Sequence, residues 1–416
     1  MIPKLNLRVS AETRDRTTRR RLDTIVPRLM DHADIDCWVL LSREYADDPV
    51  VLTMLPANWI TSRRRTILVF FRMSEGVDRA AVSRYEVDGL FPARWDTDAE
   101  PDQMKALAGL IRERDPRQIA VNTSTHFAHG DGLTETEHQT LVAALGPVLS
   151  ARLVPGEDLS VGWLETRLPE ERSTLAEACA TAHGLLRRAL SSEVIDAGLT
   201  TTHDVEWWLR DAVQDLGTQV WFHPTVSTQR HSGDLRGSLA SHPGAVTIEP
   251  GDLVHIDFGI VWHALCSDQQ QHGYVLKDRE AQVPEGLKAA LAIANRLQDI
   301  LLDNFELGRT GNDVLSATLD LATYEAILGK VYTHPIGFHG HGAGPTIGLW
   351  DRQDGVPGEG DRQLVADTAW SIELMAESPV PEWDNYPVRI MLEENAWFDG
   401  VRPEFLDGRQ TEIWPI

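Results

Sequence analysis

Four acidic residues stand inside segments that otherwise have the character of β-strands, and they constrain this chain more than any other feature. They are Asp257 in HIDFG, Asp268 in CSDQQQ, Glu373 in WSIEL and Glu393 in VRIMLEE. Strand interiors disfavour Asp and Glu, and a buried lone carboxylate is costly unless paired or bound to a metal. A hairpin turning at Trp262–His263 would set Asp257 directly opposite Asp268. Opposed residues share a face with Cβ atoms about 4.5–5.5 Å apart, so the two carboxylates would repel unless a cation lay between them. The spacing is equally met by one Asp solvated at a strand end. Alternation turns Glu373 away from the apolar Trp370, Ile372 and Leu374, and selects Glu393 rather than Glu394 for a central site.

The segment THPIGFHGHGAGPTIG adds His334, His339 and His341 amid glycines. Glycines let a backbone approach a site, and a neutral imidazole is a good metal ligand, though spacing does not say which of the three binds. An oxygen-rich set with one imidazole suits Mn²⁺, Co²⁺ or Zn²⁺ better than copper. Two such ions about 3.5–4 Å apart can share a bridging hydroxide in hydrolysis. The sequence has no HExxH helix, GxSxG elbow, Walker loop or GxGxxG after a strand. The residues therefore point to a metal-assisted hydrolase.

The chain has 416 residues, 63 acidic against 39 basic, for a net charge of −24. Its length predicts two domains. Such a charge disfavours nucleic acid and anionic membrane as partners and favours divalent cations. The basic N-terminus lacks the apolar run of a secretory signal, and no stretch is apolar for the length of a bilayer span. Cys37, Cys179 and Cys266 form no CxxC pair and are read as buried apolar side chains. A soluble, cytoplasmic protein is expected.

The apolar runs CWVLLS (37–42), TILVFF (66–71) and QIAVNTS (118–124) predict an α/β N-terminal domain, and LVPGEDLSVGWLETR (153–167) a linker. Beyond it, helical periodicity runs through 175–190, 205–216, 287–301 and 311–327. Strands are predicted at 252–260, 270–276, 370–374 and 388–392. Without a regular βαβ rhythm the class is α+β with antiparallel hairpins.

In this order GDLVHIDFG, SD eleven residues on, GHGAG, SIEL and the glutamate after VRI resemble the creatinase/prolidase/methionine-aminopeptidase family of M24 metallopeptidases. The resemblance implies a pita-bread catalytic domain over 165–416 preceded by a smaller creatinase-type domain over 1–155. It also implies Asp257, Asp268, His341, Glu373 and Glu393 as ligands of two divalent ions, foremost Mn²⁺. Glu373 would shuttle the proton, with His334 and His339 assisting and His242 and Arg389 binding substrate. The implied activity is hydrolysis of Xaa-Pro bonds in small peptides by a homodimer. Alternatives are a family enzyme acting on another C–N or C–S bond and a non-catalytic peptide-binding domain. This chain departs from the pattern in PTIGLWDRQ, where Asp351 stands without a second histidine, and in QQQHGYV after Asp268.

Overall fold

The apolar runs of the first third pair with one another. β1 (Cys37–Arg43) lies antiparallel to β2 (Arg65–Arg72), which carries β3 (Val77–Ala81) on its far side. β4 (Ile119–Val121) and β5 (Leu153–Pro155) continue the sheet in parallel, giving the order β3-β2-β1-β4-β5. The computed structural model describes residues 2–231 and 244–416, and this sheet belongs to the first of two units, Leu7–Thr166. The second unit is Arg167–Ile416 with the residues through Asn6.

β1 is buried on both faces, as a continuous apolar run requires. Cys37, Val39 and Leu41 cluster with Leu107 and Ile111 and with Leu141 and Leu145, while Trp38 stacks on Phe70 at 5.4 Å. The expected linker is instead β5 followed by a helix, Glu157–Glu165, whose residues from Leu159 onward are all buried. Leu159, Val161, Trp163 and Leu164 outweigh the Pro and Gly ahead of them. The buried Arg21 guanidinium completes the helix end by donating to the carbonyls of Trp163 and Thr166.

In the second unit, helices α1 (Pro169–Ala189) and α2 (Thr202–Asp215) pack on one side of a sheet. α2 starts with a capping box between Thr201 and Asp204 and stops at Gly217, whose φ of +79° a side chain would resist. The sheet holds β6 (Thr225–Gln229), β7 (Leu253–Phe258), β8 (Gln269–Tyr274), β9 (Leu328–Val331), β10 (His334–Pro335), β11 (Thr368–Val380) and β12 (Tyr386–Phe398). Along its path the order is β9-β11-β12-β8-β7-β6, with β10 beside β11. Helix α3 (Glu285–Asp303) buries Leu287, Leu291, Ala294, Leu297 and Leu301 against Trp370, Ile372, Leu374, Ile390 and Leu392. Each fully buried Leu is worth about 1.5–3 kcal/mol, which makes this contact a main support of the sheet.

The hairpin between β7 and β8 turns later than expected. Trp262 pairs with Leu265, so the turn is His263–Ala264, both left-handed at φ +49° and +69°. This mirror-image turn twists with the strands, and the tertiary frame imposes it without Gly or Asn. The shift moves the partner of Asp257 from Asp268 to Gln270. Displacement by two residues keeps both on one face, because side chains alternate with period two.

Candidate metal centre

Sheet register lays one row of side chains across five strands. Thr225 pairs with Asp257, Asp257 with Gln270, Gln270 with Glu393, and Glu393 with Glu373. Two residues before Gln270, Asp268 sits at the mouth of β8, its N–H donating to Asn395 Oδ1 at 3.0 Å. Asn395 also donates to Ser371 Oγ at 3.2 Å, and that hydroxyl donates to Glu393 Oε1 at 2.6 Å. Gln270 Nε2 donates to both Glu373 Oε1 at 2.7 Å and Glu393 Oε2 at 2.8 Å. Thr333 Oγ1 receives the Glu373 N–H and donates to its carbonyl, fixing the backbone at that residue.

The imidazole comes from His334, which pairs with Ser371. Its Nδ1 is 3.0 Å from the Pro335 carbonyl, which can only accept, so Nδ1 donates there and Nε2 is the nitrogen turned to the carboxylates. Nε2 has no hydrogen-bond partner and lies 3.5 Å from Glu393 Oε1, 3.8 Å from Glu373 Oε2 and 4.0 Å from Asp268 Oδ2. Asp257 Oδ1 and Asp268 Oδ1 are likewise buried without a partner.

Burial foremost, and then the charge of Glu393, hold Asp257, Asp268 and Glu373 well above the usual carboxylate range. Glu393 goes the other way. Burial pushes it up, but the facing His334 imidazole, the Ser371 hydroxyl and the Gln270 amide more than offset that. Ligand atoms around one ion stand about 2.0–2.2 Å from it, so neighbours 3.5–4.0 Å apart leave room for a cation between them. Asp268, His334 and Glu393 meet that spacing together. A divalent cation would also partner the orphaned oxygens and Nε2, so these residues fit one.

His341 stands next to this group. It is exposed, with its ring 4.8 Å from that of His334 and nearly perpendicular to it, and 5.2 Å from Trp221. His334 thus stands at the carboxylates, with the His341 that the resemblance implied beside it. The loop folds so that the β10 residue points inward while His341 lies beyond Gly340. Trp221 packs so tightly against Gly340 that a Cβ there would strike the indole. Tyr332 joins this aromatic wall, its ring 5.2 Å from His334. His339 is half-buried, with its carbonyl accepting from Gly337. Arg389 lies four residues from Glu393 on the same strand and pairs with Glu377 at 3.3 Å. His242 lies outside the described residues.

Gln270, Ser371 and Asn395 were not among the residues anticipated from sequence. Each stands two positions from a candidate ligand on the same strand, which is the signal that would have found them. On the opposite face Glu394 accepts from His183 Nε2 at 2.8 Å, and His183 Nδ1 faces Asp407 at 2.7 Å.

Three comparisons bear on identity. The fold is shared with the X-Pro aminopeptidase of Thermotoga maritima (17% identity, TM-score 0.66, 94% of this chain and 100% of that one). It is also shared with the Xaa-Pro dipeptidase of Bacillus anthracis (17%, 0.65, 99% and 100%). A third likeness is to the N-terminal domain of the FACT complex subunit SPT16 from chickpea, Cicer arietinum (12%, 0.58, 94% and 96%). Comparison with curated proteins gives no match. These likenesses show the α+β pita-bread architecture with its preceding domain. The sequence profile of metallopeptidase family M24 matches residues 173–404, the span that carries the carboxylate row and its histidine, and the chain belongs to that family.

Proposed function

We propose that this chain is a metal-dependent peptidase that cleaves the bond preceding proline in small peptides. The observation that carries it is the buried group of Asp268, His334, Glu373 and Glu393, with an imidazole nitrogen left free of hydrogen bonds toward the carboxylates. Asp257, Asp268, His334, Glu373 and Glu393 would hold the divalent ions, Mn²⁺ foremost and Co²⁺ or Zn²⁺ otherwise. Bound there, the ions supply the positive charge that activates water and polarises a scissile carbonyl.

Glu373 is the proton carrier of this reading. It is buried, and its affinity for a proton is raised by that burial and by Glu393. The rings of Tyr332 and His341 flank His334, Trp221 lies against His341, and together they offer an aromatic wall to a cyclic residue. Support from relatives is the naming of two structural neighbours as X-Pro aminopeptidase and Xaa-Pro dipeptidase. A homodimer in the cytoplasm belongs to the same proposal and is read by light scattering and fractionation. Among the described residues no helix is long and apolar enough to cross a membrane.

The test is turnover of Xaa-Pro dipeptides and longer Xaa-Pro peptides by chelator-stripped protein, with and without Mn²⁺, Co²⁺ or Zn²⁺. Cleavage that needs added metal is expected, and metal-independent or absent cleavage of the whole panel would defeat the proposal. The likeness to a FACT subunit domain favours a second reading, a peptide-binding module; stoichiometric metal binding argues against it.

The two histidines separate cleanly. His334→Ala is expected to lower Mn²⁺ affinity by about a hundredfold or more, beyond the ten- to hundredfold typical of losing a supporting neighbour. His341→Ala should leave metal affinity within about threefold and alter KM instead. Calorimetric titration of both variants decides it: loss of the ion in His341→Ala alone would return the ligand role to that residue.

A further inference from the structure

The face of the sheet away from the carboxylate row carries a polar cleft of its own. Its volume is about 170 Å³, against roughly 30 Å³ for one water in the liquid, so it has room for a small molecule. His183 and Arg187 line it from α1, one helical turn apart, and Gln271 lines it from β8. Asp407 and Trp414 complete the lining, and Trp414 pairs with Gly273 beside β8. None of these residues belongs to the metal centre.

Two groups of opposite demand are left over in this cleft. Gln271 is buried, and its Nε2 donates to Glu394 Oε1. The reverse amide orientation would press the amide oxygen against that carboxylate, so the orientation is fixed. Oε1 is therefore the polar atom Gln271 offers the cleft, and it has no hydrogen-bond partner among the described residues. An acceptor buried without a donor destabilises the fold, and a bound donor would relieve that. Beside it, Asp407 commits Oδ2 to His183 Nδ1 at 2.7 Å and keeps Oδ1. On the rim, the exposed Arg187 guanidinium lies 4.9 Å from the Trp414 ring and pairs with no carboxylate among the described residues. Arg409, the other cation of the lining, is already held by Asp299 at 2.7 Å. Acceptors thus gather at the His183 end, and a free cation stands one turn along α1, about 6 Å further.

We propose that this cleft binds a free α-amino acid, with its ammonium on Gln271 Oε1 and Asp407 and its carboxylate on Arg187. A simple anion would use Arg187 and leave Gln271 Oε1 unmet, and a simple cation would do the reverse. A zwitterion meets both. The two charges of an α-amino acid are borne on one carbon, which suits acceptors and a cation only a helical turn apart. Gln271 and Glu394 follow Gln270 and Glu393 on their strands, so their side chains take the face opposite the metal centre. The inference stands without the peptidase reading and extends it, since cleavage of a small peptide releases free amino acids.

The experiment is calorimetric titration of the chelator-stripped full chain with L-proline, L-alanine, prolinamide and N-acetylproline. Stripping keeps amino acids from binding through an ion at the carboxylate row. Wild type should bind both amino acids one to one, and each analogue, which lacks one charge, at least about tenfold less tightly. Arg187→Ala should weaken the amino acids by about tenfold or more and bind proline and prolinamide alike. Gln271→Leu should likewise cease to distinguish proline from N-acetylproline. If that buried variant fails to fold by circular dichroism, Arg187→Ala, at an exposed residue, decides alone. Absence of binding to wild type would mean that water alone meets Gln271 Oε1, and it overturns the site. Binding that the folded variants leave unmoved overturns it equally. Turnover plays no part in the measurement, so failure of the peptidase reading leaves the outcome intact.

Discussion

Glu373→Gln is expected to leave folding close to wild type and to lower turnover by about 10²–10⁴-fold, the usual worth of a positioned proton carrier. The amide has the same shape, and its oxygen can still accept from Gln270 Nε2 where Glu373 Oε1 does now at 2.7 Å. Backbone anchoring through Thr333 does not involve the altered atoms. What is lost is the capacity to take a proton, which an amide lacks at any accessible pH. Since Glu373 Oε2 also faces the cation position, ion content must be measured alongside rate. With ions restored to wild-type content, kcat should fall while KM changes little. A variant that holds its ions and turns over within tenfold of wild type would remove Glu373 from the proton pathway.

The second large effect is on stability and lies on the opposite face of the same sheet. His183 sits between Glu394 and Asp407, at 2.8 and 2.7 Å, and Gln271 and the Gln410 N–H complete the shell around Glu394. Burial disfavours the imidazolium, yet the two carboxylates outweigh it and push His183 up to about 9. Removing the cation leaves Glu394 buried and uncompensated, so His183→Ala should cost about 3–5 kcal/mol. Because the folded value is raised above an unfolded value near 6.5, this stabilisation is full below about pH 6.5 and is lost as pH rises through about 9. Wild type should therefore lose denaturant resistance between pH 7 and pH 9, whereas His183→Gln should start lower and change less. Urea midpoints at several pH values read this directly. A His183→Ala midpoint equivalent to less than about 0.5 kcal/mol of destabilisation would show the pair contributes no net stability.

Much of the architecture is legible from periodicity alone. The runs at 37–42 and 66–71 and the helical spacing through Leu287, Leu291, Ala294, Leu297 and Leu301 reappear as β1, β2 and α3, because long, strongly patterned segments bury one face or two. The alternation argument that sets Glu393 and Glu394 on opposite faces matches their partners, His334 for one and His183 for the other. Three things were not legible. The helix at Glu157–Glu165 is hidden behind Pro and Gly, whose turn propensity is a weaker influence than burial of Trp163. The His263–Ala264 turn has none of the Gly, Asn or Asp that mark a two-residue hairpin, so local chemistry could not place it. The choice between His334 and His341 depends on which residue of a glycine-rich loop joins β10, and that is decided by pairing with Ser371 rather than by the loop's own sequence.

The row from Thr225 to Glu373 runs at right angles to the chain, and this has a consequence for assembly. Its members come from strands separated by long stretches of sequence, and neither the Gln270–Glu393 pair nor the Glu393–Glu373 pair forms until β12 has docked between β8 and β11. A growing polypeptide cannot build the cation position piecemeal, since Glu393, which stands beside Gln270, Glu373 and His334, emerges last. Loading with metal is then a report on the finished sheet, and the ion, binding only that state, raises its apparent stability with the logarithm of free ion concentration. Scarcity of the ion during synthesis would show first as slower acquisition of protease resistance, before any catalytic deficit could be measured.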